Sequence, residues 1–389
     1  MSNESLRPLR NLYHDPAMDQ EITRKVPDYW LPLLEEKIAQ IRQLQAEGGM
    51  NCTSFGMITD IHWSHNAQKS ALLMEKIIND CAIPYFFDGG DTVASAPYAD
   101  KEFIRKEFDE CRRLFAPIED RRLMVMGNHD GVYSDMDEPN SYSQNLTKAE
   151  RFEYFFRPQT RFSNRTFGGD DGSYYYADDA FQKVRYIVLN THDIPSDEAD
   201  EQGFAVNNSF RNFEIREAQI NWFAHVALDV PSPDWSVILC THENITSNIA
   251  AKHAGDNSLT RNHALLVGII NAFRKHQKFE AETSFEDKPW CNAKVSVDFS
   301  GRGGDFIVWV SGHVHADMIA DDHGIVAVST DSDSCGWASG VKAPYKLGTT
   351  WEHLFDIFTV NKNTHTVHIT RISSIGADRE FTYETFPVK

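Results

Sequence analysis

The side chains best suited to metal chemistry follow short runs of apolar residues. The first pair is Asp60 and His62, which come directly after the run GMIT. Side chains at positions i and i+2 of an extended segment can point to one side, so this carboxylate and this imidazole could bind one cation together. A single Asp-x-His pattern often arises by chance, so its meaning depends on the motifs that come later in the chain.

Two further motifs follow the next two apolar runs. Asp91 comes after two glycines, which allow a tight turn and leave its carboxylate free to bridge two cations. The alternative for Asp91 is an ordinary turn residue that caps a helix. In the motif GNHD, Asn128 offers an amide oxygen that can bind a cation without adding charge, and His129 is suited to proton transfer.

Histidines complete the set in the second half of the chain. His242 follows the run WSVILCT, and His313 and His315 form the motif GHVH after FIVWVS. A lone histidine such as His242 is more often a capped or surface residue than a ligand. Polar motifs that recur in order, each at the end of an apolar run, are hard to obtain by accident, and imidazoles are common metal ligands.

The elements that must position these motifs are read from hydrophobic periodicity. Strands alternate with helices in the first part of the chain, which predicts β-α-β units, and consecutive late strands predict antiparallel pairing and therefore mixed sheets. Motifs at the carboxyl ends of strands would face a crevice, as in other α/β sheets. The predicted strands are 53–59, 83–88, 122–127, 173–178, 184–191, 235–241, 306–312, 324–330, 354–360 and 365–372, and the predicted helices are 27–45, 66–82, 103–115, 214–228 and 259–273.

The motif series Asp60-x-His62, Gly90-Asp91, GNHD, His242 and GHVH resembles that of the calcineurin-like metallophosphoesterase family, over about residues 53 to 330. A Gln-x-x-Trp pattern at 219–222 and the paired segments 173–191 are also similar to that family. The resemblance implies a four-layer α/β/β/α sandwich with mixed sheets and two divalent cations per chain. It further implies the ligands of each cation. Asp60, His62 and His315 would hold one cation, Asn128, His242 and His313 the other, and Asp91 would bridge them.

A pair of cations about 3.5–4 Å apart would clamp a phosphoryl group and lower the pKa of a bridging water. The predicted nucleophile is a bridging hydroxide, with His129 as the acid that protonates the leaving oxygen. Oxygen and imidazole ligands of this kind bind Mn, Fe, Zn, Co or Ni, and the residue types do not indicate which of these metals is bound.

Departures from subfamily patterns narrow the expected activity. Ala94 and Ser95 stand where the protein Ser/Thr phosphatase branch has Asp and Arg, and Ala94 also stands where purple acid phosphatases have a tyrosine ligand. The interpretation favours hydrolysis of small phosphodiesters. The alternatives are a phosphomonoesterase of the same family, a DNA nuclease of the superfamily, and a non-catalytic interaction module that retains the fold.

Composition limits the partners. The chain carries 38 Lys and Arg against 57 Asp and Glu, a net charge of −19, which disfavours broad nucleic-acid or anionic-membrane binding but leaves a small phosphorylated substrate possible. The N-terminus has no apolar signal region, no run is long enough to span a bilayer, and the cysteines are scattered singly. We therefore expect a cytoplasmic protein, and the sequence says nothing of its oligomeric state.

The chain is predicted to contain an N-terminal extension with an amphipathic helix suited to docking (1–50), a phosphoesterase core (51–335) and a C-terminal β-rich extension packing on the core (336–389). Polar segments at 194–212 and 276–304 could frame the substrate pocket, or could be surface insertions. Candidate substrate contacts are the polar and aromatic residues near the ligands in sequence, namely Trp63, His65, Tyr133, Tyr142, Asn244 and His253.

Overall fold

The computed structural model describes residues 25–62, 64, 67–93, 101–130, 146–169, 171–195, 198, 200–201, 206–207, 213–243, 260–334 and 345–387. The strands in these ranges are β1 Cys52–Ile58, β2 Tyr85–Asp88, β3 Arg122–Met124, β4 Arg165–Gly168, β5 Tyr174–Asp179, β6 Val184–Val188, β7 Ser236–Cys240, β8 Lys278–Thr283, β9 Ala293–Asp298, β10 Asp305–Ser311, β11 Met318–Asp322, β12 Ile325–Ser329, β13 Phe355–Asn361, β14 Thr366–Ile372 and β15 Arg379–Thr382. The α-helices are α1 Leu31–Gly48, α2 Ala67–Asp80, α3 Lys101–Phe115, α4 Lys148–Arg151, α5 Glu217–Trp222 and α6 His263–Arg274. A 3-10 turn precedes α1, and π-helical turns continue α4 and α5.

The strands form two large mixed sheets and a hairpin. The first sheet has the order β15-β14-β13-β1-β2-β3, in which β1, β2 and β3 are parallel and the C-terminal strands are antiparallel. The second has the order β11-β12-β10-β7-β6-β5-β4, with a parallel centre of β6, β7, β10 and β12. The prediction of mixed sheets with antiparallel late strands is confirmed.

The two sheets pack face to face. Alternate residues of β1 and β2, such as Phe55, Met57 and Phe87, point into one buried cluster together with Tyr186 of β6 and Val310 of β10. The central strands of both sheets are buried on both faces, because the other sheet covers one face and helices cover the other. Their sequences are therefore nearly continuous apolar runs.

The outer layers are helical. Helices α1, α2 and α3 cover the outer face of the first sheet, and α5 and α6 cover the second sheet together with the β8–β9 hairpin. The order of layers is therefore helix, sheet, sheet, helix, and the predicted four-layer sandwich is confirmed. Among the described residues, no helix combines the length and the apolar character that crossing a membrane requires.

Two segments differ from their predicted roles. The apolar face of α1 packs inside its own chain, with Leu34 and Ile41 fully buried against the first sheet beside Trp30 of the preceding 3-10 turn, so this face does not serve as an open docking surface. The polar segment at 276–304 contains β8 and β9, whose inward residues Val295 and Val297 join the core. Apolar residues alternate with polar or charged ones in this hairpin. Because few of its residues are apolar, the sequence did not indicate strands here.

Candidate metal centre

Loops that follow five strands carry the predicted ligands, and they meet where the two sheets face each other. Asp60 and His62 follow β1, and Asp91 follows β2. The others come after β3, β7 and β10, namely Asn128 and His129, His242, and His313 and His315. Backbone hydrogen bonds tie the loops together: Asp60 N donates to Gly90 O, and Gly312 N donates to His242 O, each at 2.9 Å.

One group of candidate ligand atoms comes from Asp60, His62 and His315. His315 Nε2 lies 3.1 Å from Asp60 Oδ1 and 3.2 Å from His62 Nε2. All three atoms lie within 4.8 Å of one another, which is the spacing expected around a single cation. The second carboxylate oxygen, Asp60 Oδ2, accepts hydrogen bonds from Thr59 Oγ1 at 2.7 Å and His313 N at 2.9 Å, so Oδ1 is the oxygen left for a metal.

A second group surrounds the side chain of Asn128. The amide oxygen Asn128 Oδ1 lies 2.9 Å from His313 Nδ1 and 3.0 Å from His242 Nε2. Opposite its Nε2, His242 presents Nδ1 to the carbonyl oxygen of Gly89 at 2.8 Å. That hydrogen bond fixes the imidazole with Nε2 available to a cation, as outer partners of metal-bound histidines commonly do.

Asp91 belongs to both sides of the centre. Its Oδ2 lies 3.3 Å from His242 Nε2 and 4.0 Å from His62 Nε2, while its Oδ1 accepts a hydrogen bond from His129 N at 2.7 Å. A single carboxylate oxygen therefore faces ligands of both groups. The donor set of imidazoles, carboxylates and one amide fits two divalent transition-metal ions.

His129 lies beside the shared carboxylate. Its Nε2 is 3.9 Å from Asp91 Oδ2, and its ring meets the ring of His62 edge to face, with 4.9 Å between centroids. Its ligand atom also falls within 4.8 Å of those of His62 and Asp91. The position is compatible with contact to a bound phosphoryl group and also with binding a cation.

Asp130, the last residue of GNHD, supports the loop that carries Asp91. Its carboxylate accepts hydrogen bonds from the backbone N–H groups of Asp91 and Gly127 at 2.8 Å and of Thr92 at 3.0 Å. In the structure, these contacts of Asp130 go to the backbone of the Asp91 turn.

Much of this centre is built on left-handed backbone. Asp60, His62, Asp91, His313 and His315 all have φ between 46° and 66°. Residues other than glycine adopt this conformation rarely, at a cost of about 1–3 kcal/mol each, and it concentrates at functional sites. The surrounding hydrogen bonds between loops hold these residues in place.

Burial and neighbouring charges shift the pKa values of the candidate ligands. Burial and the charge of His129 lower the pKa of His62 to about 3, so this imidazole is neutral and ready to bind a metal. Burial opposes protonation of His242, but the charge of Asp91 outweighs it and raises the pKa of His242 to about 10. Burial also opposes ionisation of Asp91, yet His242 and His129 hold the pKa of Asp91 well below its usual range. In the absence of metal, protonated His242 neutralises the carboxylate of Asp91, and a bound cation would take the place of that proton.

Two residues outside the sequence motifs, His192 and Phe213, lie against the second group. The ring of His192 is 5.8 Å from that of His242, and Phe213 contacts both His192 and His313, with centroids 5.3 Å apart in each case. The only local signal for His192 was its place after the strand β6, which resembles the place of the ligands. The predicted substrate contacts Trp63, His65, Tyr133, Tyr142, Asn244 and His253 lie outside the described residues.

Comparison with known proteins adds independent findings. The family model of the calcineurin-like phosphoesterases matches residues 53–317. A dimetal phosphatase from Danio rerio is similar in structure, with a TM-score of 0.54, 12% sequence identity, and coverage of 85% of this chain and 99% of that one. A 5'-nucleotidase structure from Staphylococcus aureus, described as putative, gives a TM-score of 0.40 at 12% identity, covering 87% of this chain and 54% of that one. No curated protein matches the chain.

Proposed function

Because the chain belongs to the calcineurin-like phosphoesterase family and is a phosphoric ester hydrolase, we propose that it uses two divalent cations to hydrolyse small phosphodiesters. The observation that carries the proposal is the placement of Asp91 Oδ2 between the two groups of candidate ligands. One cation would be held by Asp60, His62 and His315, and the other by Asn128, His242 and His313. Asp91 would bind both.

The residues of the candidate metal centre have separate tasks in this proposal. When bound, the two cations would activate a water molecule and neutralise charge on the phosphoryl oxygens. His129 holds its Nε2 beside the shared carboxylate, where it would donate a proton to the departing oxygen. Burial lowers the pKa of His129, and the negative charge of a bound phosphoester opposes that effect. The hydrogen bond from His242 Nδ1 to the carbonyl oxygen of Gly89 fixes that imidazole, which would leave Nε2 for a cation.

The preference for diesters is supported by where the arginines lie. Sites specialised for phosphomonoester dianions commonly add an arginine, because its fork geometry matches phosphate. Arg371 and Arg379 approach the loop of His315, and within the described part of the chain both are paired with Asp317 and Asp356. Arg105 of α3 is paired with Glu150. A diester monoanion would need only the two cations and a proton donor.

The test compares two substrates on one preparation. The protein is loaded with Mn²⁺, its metal content is measured by elemental analysis, and kcat/KM is determined for bis-p-nitrophenyl phosphate and p-nitrophenyl phosphate. We expect close to two ions per chain and turnover of the diester at least equal to that of the monoester. A preference for the monoester above about tenfold, equivalent to about 1.4 kcal/mol, would favour the phosphomonoesterase alternative.

Asp91→Ala is the matched variant for this measurement. Removal of the shared carboxylate leaves two like charges less well neutralised, so metal content and turnover should fall together. Full metal content in Asp91→Ala would contradict the bridging role. Bound metal with no turnover of either ester by the unchanged protein would support a non-catalytic interaction module instead.

The wider setting of the activity follows from composition. The family acts on phosphorylated substrates, and the net charge of −19 favours a small substrate over a nucleic acid. The five described cysteines are free and buried, which is compatible with a reducing compartment such as the cytoplasm.

A further inference from the structure

A buried polar cluster connects the 3-10 turn before α1 to the segment that carries Asp60. We define this cluster as Ser70, Ser332, Asp333, Glu352 and His353, and each of these residues is buried. They come from α2, from the loop after β12 and from the residues before β13, so distant parts of the sequence meet here. None of them was selected from the sequence as a candidate site residue.

The end of the cluster nearest the metal centre holds the backbone on either side of Asp60. Ser332 Oγ donates to the carbonyl oxygen of Asp60 at 2.8 Å, and Asp333 N donates to the carbonyl oxygen of Thr59 at 3.0 Å. Asp60 has a φ of 51°, so its peptide group needs outside contacts to stay in this orientation. These two hydrogen bonds therefore help to set the direction of the Asp60 carboxylate.

The side chain of Asp333 is itself held from two sides. Its Oδ1 accepts a hydrogen bond from Leu354 N at 2.9 Å, and its carboxylate accepts another from Ser70 Oγ. Ser70 Oγ also lies 2.6 Å from His353 Nδ1. Asp333 is thus fixed to both α2 and the segment before β13, and its backbone cannot shift without breaking these contacts.

The far end of the cluster is anchored on the 3-10 turn before α1 and on α2. Glu352 accepts hydrogen bonds from Trp30 Nε1 at 3.0 Å, Tyr29 Oη at 2.6 Å and Lys69 Nζ at 2.8 Å. His353 lies between the two carboxylates, with Nδ1 3.7 Å from Asp333 and Nε2 3.4 Å from Glu352. Burial opposes protonation of His353, but its contacts with Asp333 and Glu352 outweigh burial and raise the pKa of this imidazole.

A buried network whose members are hydrogen-bonded is rigid, and the loss of one member leaves costly unpaired groups behind. We propose that Ser332 and Asp333, supported by His353 and Glu352, are positioning residues for Asp60 and set the affinity of the first cation. This inference rests on the proposed two-metal function. It assigns the cluster to the cation of Asp60, His62 and His315 and not to the cation of Asn128.

The experiment measures the two cation sites separately. In the 389-residue protein freed of metal by chelation, His313→Ala leaves the first site and Asp60→Ala leaves the second, and each is titrated with Mn²⁺ alone by isothermal calorimetry. Adding Asp333→Ala should weaken Mn²⁺ binding at least about tenfold in the His313→Ala protein and by less than about threefold in the Asp60→Ala protein. Ser332→Ala removes only the side-chain hydrogen bond to Asp60 O and should also weaken Mn²⁺ binding at the first site. It provides the test if Asp333→Ala does not fold.

Two further variants separate positioning from general stability. Asp333→Asn keeps an oxygen for Leu354 N and should recover most of the lost affinity. Ile77→Val shortens a buried side chain of α2 by one carbon and should lower the free energy of unfolding without changing Mn²⁺ binding at either site.

The outcomes discriminate clearly. Equal weakening of both sites, weakening by Ile77→Val as well, or no effect of Ser332→Ala and Asp333→Ala would overturn the positioning role alone. Absence of Mn²⁺ binding by the otherwise unchanged protein would remove the proposed function together with this inference.

Discussion

At the scale of single residues, the centre depends on which atom of each side chain is left free. Asp60 uses one oxygen for Thr59 and His313, and Asp91 uses one oxygen for His129 N, so each presents a single oxygen to a cation. His242 is fixed in the same way by Gly89. Preorganised ligands lose little freedom on binding, which favours tight metal binding.

His129→Ala should lower kcat by about 10²–10⁴ while the metal content stays near that of the unchanged protein, because the proposed role is proton transfer. The measurements are steady-state kinetics with bis-p-nitrophenyl phosphate and elemental analysis of the same samples. The Nε2 of His129 also lies within reach of a cation, so the metal content decides between the two roles. Loss of an ion in His129→Ala would make this residue a ligand.

Binding of the second cation should strengthen with pH. The pKa of His242 is raised to about 10 by Asp91 against the effect of burial, so the metal-free protein holds a proton there at neutral pH. A cation needs the neutral imidazole, and its affinity should therefore rise about tenfold per pH unit below pH 10, with release of about one proton.

The proton release is measured by titrating the Asp60→Ala protein with Mn²⁺ in buffers of different ionisation enthalpy at pH 7 and 8. An affinity that does not change between these pH values would contradict the assignment of this proton to His242.

At the scale of elements, glycines before the ligand motifs let loops from different strands approach closely. A Cβ at Gly312 would overlap the side chains of Thr59 and Asp60, and a Cβ at Gly90 would lie 2.6 Å from His242 Nδ1. The loop after β10 therefore touches the loop after β1, although the two strands belong to different sheets. Glycine is needed here for space as much as for backbone conformation.

Gly312→Ala should displace the Asp60 carboxylate and reduce binding of the first cation, with an overpacking cost of about 1–3 kcal/mol. Mn²⁺ titration of the variant in the His313→Ala protein measures the effect. Gly301→Ala is the control, because a Cβ there meets nothing within 4 Å and only its positive φ is strained. Equal Mn²⁺ affinity in the two alanine variants would show that the close approach at Gly312 does not matter.

At the scale of the whole molecule, the metal centre depends on two sheets that are held against each other and covered on both outer faces. Helix α1 contributes to this cover through Leu34, Ile38 and Ile41, and the 3-10 turn before it contributes Trp30. Strand β13 pairs with β1, so the C-terminal part of the chain forms part of the sheet that carries Asp60 and Asp91. Segments outside the motif series thus stabilise the sheet on which the motifs sit.

Ile41→Ala should lower the free energy of unfolding by about 2–5 kcal/mol, because it leaves a cavity between α1 and the first sheet. Glu36→Ala, on the exposed side of the same helix, should change it by less than about 0.5 kcal/mol. Urea unfolding followed by far-ultraviolet circular dichroism compares the two variants under identical metal loading. Similar losses in both would mean that the apolar face of α1 adds little to stability.

The sequence by itself determined the types of residue in the centre and the order of the elements that carry them. Runs such as GMIT and FIVWVS are local patterns, and strand propensity with the periodicity of burial is readable from a short window. The placement of Asp60, Asp91 and His313 after strands follows from the same windows. The hairpin β8–β9 was missed because its exposed face is charged and its apolar positions are few.

Tertiary structure alone decided which side chains meet. Asn128 and His313 are 185 positions apart in the chain, yet their ligand atoms lie 2.9 Å from each other. No local window contains such a contact, because it depends on how the two sheets pack. The left-handed backbone of Asp60, the support of the Asp91 turn by Asp130 and the contacts of Ser332 and Asp333 arise for the same reason. They are set by contacts between loops that follow different strands, such as those after β1, β2 and β10.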